Sequence, residues 1–250
     1  MANDPEKPDI SIVVACYNEM PHLPESVKEI EDVLDRTRYS YELIFIDDKS
    51  ADATRESIEH ICEGKKNFRY VFHEKNVGRG GTVREGFAMA KGTYAGFLDI
   101  DLEVRAWYIP ALIGYLEKGA DVACIERIEE WSWNPYLILR RIVSGGYKML
   151  SKIMLPMRTR DSEAGYKFFK MATMADLIQK TTDKGWFWDT EIIMVAEAAR
   201  KKVQSVRGVF TKRPEKKSTV RLMPDSVKHF RALMRFRKEH PEIVHARNHA

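Results

Sequence analysis

The pair Asp99 and Asp101 carries the most direct chemical signal in the sequence. Two carboxylates two residues apart in an extended segment point to the same side. Together they can hold a hard divalent cation, Mg2+ or Mn2+, that also takes phosphate oxygens. Glu103 continues that side if the segment stays extended. A solvated acidic turn has the same pattern; the apolar run Tyr94–Leu98 just before it favours chemistry. Asp47-Asp48-Lys49-Ser50 also follows an apolar run. Acids there can accept hydrogen bonds from a base or a ribose. Asp48, Ser50 or Asp52 could instead cap the next helix, and both readings can hold for different residues.

Three further stretches suit anions or sugars. Asn76–Gly86 reads NVGRGGTVREG, which is neither a dinucleotide fingerprint nor a Gly-Lys-Ser/Thr phosphate loop. It still joins glycines, Arg79 and a helix start, a combination suited to anion contact as well as to a tight turn. Trp186–Glu191 reads WFWDTE: aromatics for a sugar wall, with Asp189 or Glu191 as a general base. The same run suits a core segment with Asp189 as helix cap. Lys212–Arg221 is a basic loop that can clamp a phosphate or remain solvated. The following helix, about Pro224 to Lys238, carries Val227, Phe230, Leu233, Met234 and Phe236 among Lys and Arg. Its apolar stripe is expected to pack on the core; its basic face suits solvent or a membrane surface.

The elements that must position these groups alternate. Buried strands are expected at Ile10–Ala15, Tyr41–Ile46, Phe68–Phe72 and Tyr94–Leu98, with helices between them. Such alternation predicts an α/β fold with a mostly parallel central sheet flanked by helices. Ligands then bind beyond the carboxyl ends of the strands, at Ala15–Glu19, Asp47-Asp48 and Asp99–Asp101. The second half is less regular. Strands are expected at Asp121–Ile125, Tyr166–Phe169 and Val206–Thr211, and helices at Trp131–Met157 and within Trp186–Lys201. One continuous domain over 1–250 is expected, with a donor half at about 10–105 and an acceptor half at about 106–250.

Composition narrows the function classes. The chain has 250 residues, is 44% hydrophobic and 31% charged, and has a formal net charge of +4. That balance excludes a histone-like or acidic-tail protein but permits a local basic face. No nucleic-acid motif appears, so nucleic acid is not an expected partner. Cys16, Cys62 and Cys124 are far apart and odd in number, against a disulfide framework. Met1–Asp9 lacks the apolar core of a signal peptide, and no apolar window is long enough to span a bilayer. A cytoplasmic protein, peripheral at most on the inner membrane face, is the expectation.

In order along the chain, several segments resemble family 2 glycosyltransferases of the GT-A fold. They are Val13–Glu19, Ile46–Thr54, Asn76–Gly86, Gly96–Glu103, Arg160–Lys167 and Gly185–Glu191. The subgroup most similar is that of dolichol-phosphate mannose synthases and related polyprenyl-phosphate glycosyltransferases. The resemblance implies an inverting, metal-dependent transfer of a hexose. The donor would be a nucleotide sugar, GDP-mannose or a UDP-hexose, and the acceptor a polyprenyl or dolichyl phosphate. Tyr17, Glu19 and Asp48 match positions that hold the base and ribose, and Asp99 and Asp101 match metal-binding acids, with Glu103 near the metal. Arg127 matches a site arginine after the fifth strand, and Arg213 a base that meets the acceptor phosphate. The 131–157 stretch corresponds to interfacial helices of the membrane enzymes. Glu163, Thr219 and Ile125-Glu126 depart from the family pattern.

The expected donor site therefore comprises Ala15, Tyr17, Glu19, Asp47 and Asp48, then Gly78, Arg79 and Arg84, then Asp99 and Ile100. Arg213, Lys217, Ser218, Arg221 and Trp186 are expected at the acceptor, and Asp189, Glu191 and Arg127 at the reacting centre. A sugar hydroxyl on a glycan is the alternative acceptor, and a non-catalytic nucleotide-sugar binder is the alternative class. A nucleotidyltransferase would need a Gly-rich, basic loop after the first strand, where this chain has Ala-Cys-Tyr-Asn-Glu.

Overall fold

The computed structural model describes residues 7–20, 22–129, 157–211 and 222–245. The first half alternates as the pattern predicts. β1 (Ile10–Cys16), β2 (Tyr41–Asp47), β3 (Phe68–Phe72) and β4 (Tyr94–Leu98) are separated by α1 (His22–Leu34), α2 (Thr54–Cys62) and α3 (Arg79–Met89). A short 3-10 turn and α4 (Ile109–Glu117) lead to β5 (Val122–Glu129). β6 (Tyr166–Lys170), α5 (Met171–Lys180), α6 (Trp188–Ala198) and β7 (Val203–Phe210) follow, then α7 (Leu222–Glu239) and α8 (Pro241–His245). The strands form one sheet in the order β3-β2-β1-β4-β6-β5-β7. β6 alone runs antiparallel to its neighbours β4 and β5, so the sheet is mostly parallel.

Side chains of β1 alternate between two cores, as the period of a strand requires. Ile10, Ile12 and Val14 join the cluster under α1, α2 and α4. Val13 joins the other, with Val83 and Phe87 of α3 and Trp188 and Ile192 of α6. Contact between α3 and β1 is close enough to demand a glycine: a Cβ on Gly86 would lie 2.3 Å from Val13 Cγ1. That approach brings the start of α3 to the carboxyl ends of β1, β2 and β4.

Two expectations change. The sequence predicts a glycine-rich turn over Asn76–Gly81 before the helix, but the turn is shorter: α3 begins at Arg79 and its first turn includes Gly80 and Gly81. The apolar stripe of α7 also divides. Ala232, Leu233 and Phe236 are buried against Met157, Phe187 and Met194, whereas Val227, Phe230 and Met234 are exposed. Among the described residues no helix is long and apolar enough to cross a membrane. The 131–156 stretch and the basic loop with Arg213, Lys217, Ser218 and Arg221 lie outside the described residues.

Candidate active site

The loops after β1 and β2 are clipped together. Asn18 adopts a left-handed backbone (φ 57°). Its N–H donates to the Ser50 hydroxyl oxygen (2.8 Å), and its side-chain Oδ1 accepts the Ala51 N–H (2.7 Å). The Glu19 N–H donates to Thr54 Oγ1 (2.9 Å) and the Met20 N–H to Asp52 (3.2 Å). Asp52 therefore serves the loop and, through its bond from the Thr54 N–H, the start of α2. This clip holds Ala15 half-buried at the strand end and leaves Tyr17 exposed two residues on.

Asp47 and Asp48 are both buried. Asp47 Oδ2 accepts from the Ser50 N–H (3.0 Å) and from Arg55 Nε (2.7 Å). Its Oδ1 is buried without a hydrogen-bond partner among the described residues, an unmatched acceptor of the kind that needs a physical reason. Asp48 is saturated. Its carboxylate accepts the N–H groups of Val77 (2.7 Å) and Gly78 (2.9 Å) and pairs with His73 Nδ1 (2.9 Å). Its backbone is engaged as well, the N–H donating to the Cys16 carbonyl (2.8 Å) and the carbonyl accepting from Asn76 Nδ2 (3.0 Å), so Asp48 shapes the turn into α3. Gly78 has φ 87°, and a Cβ there would lie 2.3 Å from the Lys184 carbonyl oxygen.

The acids after β4 are arranged differently. β4 stops at Leu98, and the Leu102 N–H closes a turn onto the Asp99 carbonyl (3.0 Å). Leu102 is left-handed (φ 48°), so the chain bends there and Glu103 does not extend a straight acidic edge. Instead the Glu103 N–H caps back onto Asp101 Oδ1 (3.2 Å). Among the described residues no three His, Cys, Asp or Glu side chains converge as a metal-holding group. Asp99 itself faces outward, its side chain 47% exposed. Ile100 is buried and could meet a ligand only through its backbone.

Arg79 joins this turn to α6. Its guanidinium donates from Nη2 to Asp99 (2.6 Å) and from Nη1 to Asp189 (2.5 Å). It lies over the rings of Trp186 (5.0 Å) and Phe97 (5.2 Å), a cation–π setting that fixes its plane. Burial opposes its charge, but Asp189, Asp99 and Asp101 together hold its pKa above the ordinary arginine value. A Cβ at Gly165 would push the Arg79–Asp99 pair aside, lying 2.1 Å from Asp99 Oδ2 and 2.5 Å from Arg79 Nη2. Asp189 has a second cation, Lys167, at 3.2 Å. Lys167 is fully buried, lies 5.5 Å from the Phe97 ring centre and donates to the Ala164 carbonyl. Burial pushes the Asp189 carboxyl above the usual carboxylate range, and Arg79 and Lys167 offset only part of that rise.

Glu191 is not part of that array. Its carboxylate accepts the N–H groups of Thr182 (2.8 Å) and Asp183 (2.9 Å), so it fastens the loop before α6. Arg127 grips Asp161 through Nε and Nη2, both at 2.8 Å. Burial opposes its charge, and Asp161 holds its pKa high. Arg84 is also apart: it donates to the Thr181 carbonyl and lines a cavity of about 230 Å³ beside Glu85, Gln179 and Lys184. Lys167 and His73 were missed by sequence reasoning. A lysine set between aromatic residues in the strand YKFFK was the available signal for the first. Nothing local marked His73, whose partners Asp48 and Glu85 lie 25 and 12 residues away.

Comparison with known proteins completes the description. Residues 11–175 match the profile described as glycosyl transferase family 2. The chain is 26% identical over 199 residues to "Glycosyltransferase AglD" of Haloferax volcanii, covering 76% of this chain and 31% of the relative. It is 24% identical over 222 residues to the dolichyl-phosphate beta-glucosyltransferase of Saccharomyces cerevisiae, covering 80% and 66%. The chain thus spans from about a third to just under two thirds of the length of these curated relatives. Among solved structures, glucosyl-3-phosphoglycerate synthase from Mycobacterium tuberculosis, in complex with Mg2+ and UDP, superposes with a TM-score of 0.69. The match covers 91% of this chain and 79% of that one at 18% identity. This likeness shows a shared GT-A fold.

Proposed function

The chain belongs to glycosyl transferase family 2, and on that premise we propose that it transfers a hexose from a nucleoside diphosphate sugar to a polyprenyl phosphate. The sugar inverts at its anomeric carbon. The observation that carries this choice of acceptor is the double ion pair on Asp189 with Arg79 and Lys167. A hydroxyl acceptor needs a base to take its proton. Both oxygens of Asp189 are already taken, Oδ2 by Arg79 and Oδ1 by Lys167, which supports an acceptor that needs no base, and a phosphate is already anionic. A phosphate oxygen bonds to the anomeric carbon, the bond to the donor diphosphate breaks, and the nucleoside diphosphate leaves with that electron pair.

The donor end rests on the strand-end residues. Tyr17 offers an exposed ring for the base, and the unmatched Asp47 Oδ1 offers an acceptor for a base N–H. Asp99 and Asp101 suit a Mg2+ or Mn2+ ion that completes its shell with diphosphate oxygens and water, which needs only one or two carboxylates. The half-exposed side chain of Asp99 supports that fit, since its carboxylate is open to solvent on the side away from Gly165. Such an ion would offset charge on the leaving diphosphate. Arg79 orients Asp99 and faces the same diphosphate, and Asp189 holds Arg79 in place. A UDP-linked hexose is favoured by the relatives, one a dolichyl-phosphate beta-glucosyltransferase and one a synthase solved with UDP and Mg2+.

The test is a panel of UDP-glucose, other UDP-hexoses and GDP-mannose, each with Mg2+ or Mn2+, against a polyprenyl phosphate and against free glycans. A lipid-linked monosaccharide is the expected product. Transfer to glycans alone would overturn the acceptor, and donor binding without transfer to either would favour a non-catalytic binder.

A further inference from the structure

His73 is a buried titratable group that no step of the proposed transfer uses. It directly follows β3 and sits between two carboxylates. Its Nδ1 lies 2.9 Å from Asp48 Oδ1, and its Nε2 lies 3.0 Å from Glu85 Oε2. A neutral imidazole carries one N–H, so it can serve one of these acceptors and turns a lone pair on the other. Only the imidazolium donates to both. The two acceptors differ: Asp48 is buried, whereas the Glu85 side chain is 44% exposed and can turn to water. The backbone of His73 is fixed as well. Its N–H donates to the Asp47 carbonyl (2.9 Å), and its carbonyl accepts from Arg55 of α2. Arg55 is spent on the Asp47 carboxylate (2.7 Å), so it leaves the ring to Asp48 and Glu85.

What Asp48 holds gives the ring its reach. No side chain caps the start of α3 from within. Asp48 takes that part from across the fold, because its carboxylate accepts the N–H groups of Val77 and Gly78. A carboxylate there also suits the helix dipole. One residue further on, the Gly80 N–H is tied to the Lys184 carbonyl (3.0 Å). Arg79 leaves the chain between these two anchors, and it is the residue that pairs with Asp99 and Asp189.

We propose that His73 is a positioning residue for the donor end: its imidazolium fixes the Asp48 carboxylate, and through it the 76–78 turn and Arg79. Glu85 takes the second N–H of the ring and so keeps the charge in place. Burial opposes that charge, and the bonds to Asp48 and Glu85 outweigh it. The charged bond is therefore complete at acid pH and is lost as pH climbs through the folded pKa of the ring. A neutral bond to Asp48 is the weaker remainder. The effect on donor binding rests on the reading of Arg79 as facing the diphosphate; the turn itself is measured without nucleotide.

The experiment follows the full chain by two readouts across the same pH range. One is the nuclear magnetic resonance of the His73 ring and of the Val77 and Gly78 amides without ligand. The other is calorimetric binding of UDP with Mg2+. Two variants separate the two bonds. The amide nitrogen of His73→Asn falls near the place of Nδ1 and keeps a donor for Asp48. That of His73→Gln falls near the place of Nε2 and keeps one for Glu85. In the wild type both amides are expected to titrate with the midpoint of the ring. Wild type should bind UDP about fivefold more tightly than His73→Asn at acid pH, and equally at alkaline pH. His73→Gln should bind about fivefold more weakly than His73→Asn at every pH. Amides at 77 and 78 that ignore the ring's titration would overturn the proposal. Equal UDP affinity in the two variants would also overturn it, since a merely structural role would not tell them apart. Amides that titrate with the ring, in a wild type that binds no UDP, would uphold the link from His73 to the turn and sink the donor assignment.

Discussion

The acidic pairs that end β2 and β4 look alike in sequence and differ in almost every physical respect. Asp48 is 4% exposed and serves two backbone N–H groups and a histidine. Asp99 has a half-exposed side chain and one charged partner, Arg79, that itself reaches on to Asp189. A carboxylate engaged by backbone donors in a buried turn is scaffold, because removing it orphans groups that water cannot reach. A carboxylate at the surface with a cationic side chain beside it can exchange partners when a charged ligand arrives. The proximity of an acid to a strand end is therefore a weaker guide to chemistry than what its oxygens already hold.

The largest expected effect breaks the scaffold side. Asp48→Ala should lower unfolding free energy by about 3–5 kcal/mol, the range for removing one partner of a buried charged network. Urea titration checks it, and a loss under about 1 kcal/mol would erase the distinction between the pairs. Next, Asp99→Asn should reduce turnover by about a hundredfold or more. The same titration should show a stability change within about 1 kcal/mol, since the acid is half exposed. A variant as active as the wild type would remove Asp99 from the site.

Glu191→Gln sharpens a second contrast. It should destabilise by about 1–3 kcal/mol through the loop at Thr182 and Asp183, and residual folded protein should keep most of its turnover. Asp189→Asn should cost both, losing turnover even in the folded fraction through a misplaced Arg79 and destabilising by about 3–5 kcal/mol because Lys167 stays buried without its partner. Steady-state kinetics beside thermal melts would separate them, and identical profiles would contradict the split.

The smallest effect is a pH dependence at the Asp48 turn. Burial opposes charge on His73, but its hydrogen bonds to Asp48 and Glu85 outweigh it and raise its pKa. A raised folded value means the imidazolium stabilises fully below the unfolded value of about 6.5. That contribution is lost as pH climbs through the folded value. The stability margin of wild type over His73→Gln should thus shrink from acid to alkaline pH. A margin constant with pH would show that His73 does not titrate between these carboxylates.

Much of this was legible in the residues, and the exceptions have physical causes. Apolar runs located β1 to β4, and the acids that close β2 and follow β4 marked the end of the sheet that matters. The reversal of β6 was not legible, because Tyr166 to Phe169 are buried on both faces whichever way the strand runs. The bend at Leu102 was hidden by a residue type that seldom takes φ 48°. Asp189 and Glu191 looked interchangeable as bases, yet two residues along a helix turn side chains to nearly opposite sides. The double ion pair on Asp189 needed Lys167 and Arg79, which are 22 and 110 residues away in the chain.

The exposed acid at the end of β4 as the donor-diphosphate end is the claim on which the rest depends. Calorimetric titration of UDP into the protein, with and without Mg2+, tests it when repeated on Asp99→Asn. The account predicts binding that Mg2+ strengthens in the wild type, and a loss of that Mg2+ dependence, by about tenfold or more in Kd, in a variant that still melts as one cooperative unit. Equal Mg2+-dependent affinity in both proteins would contradict it.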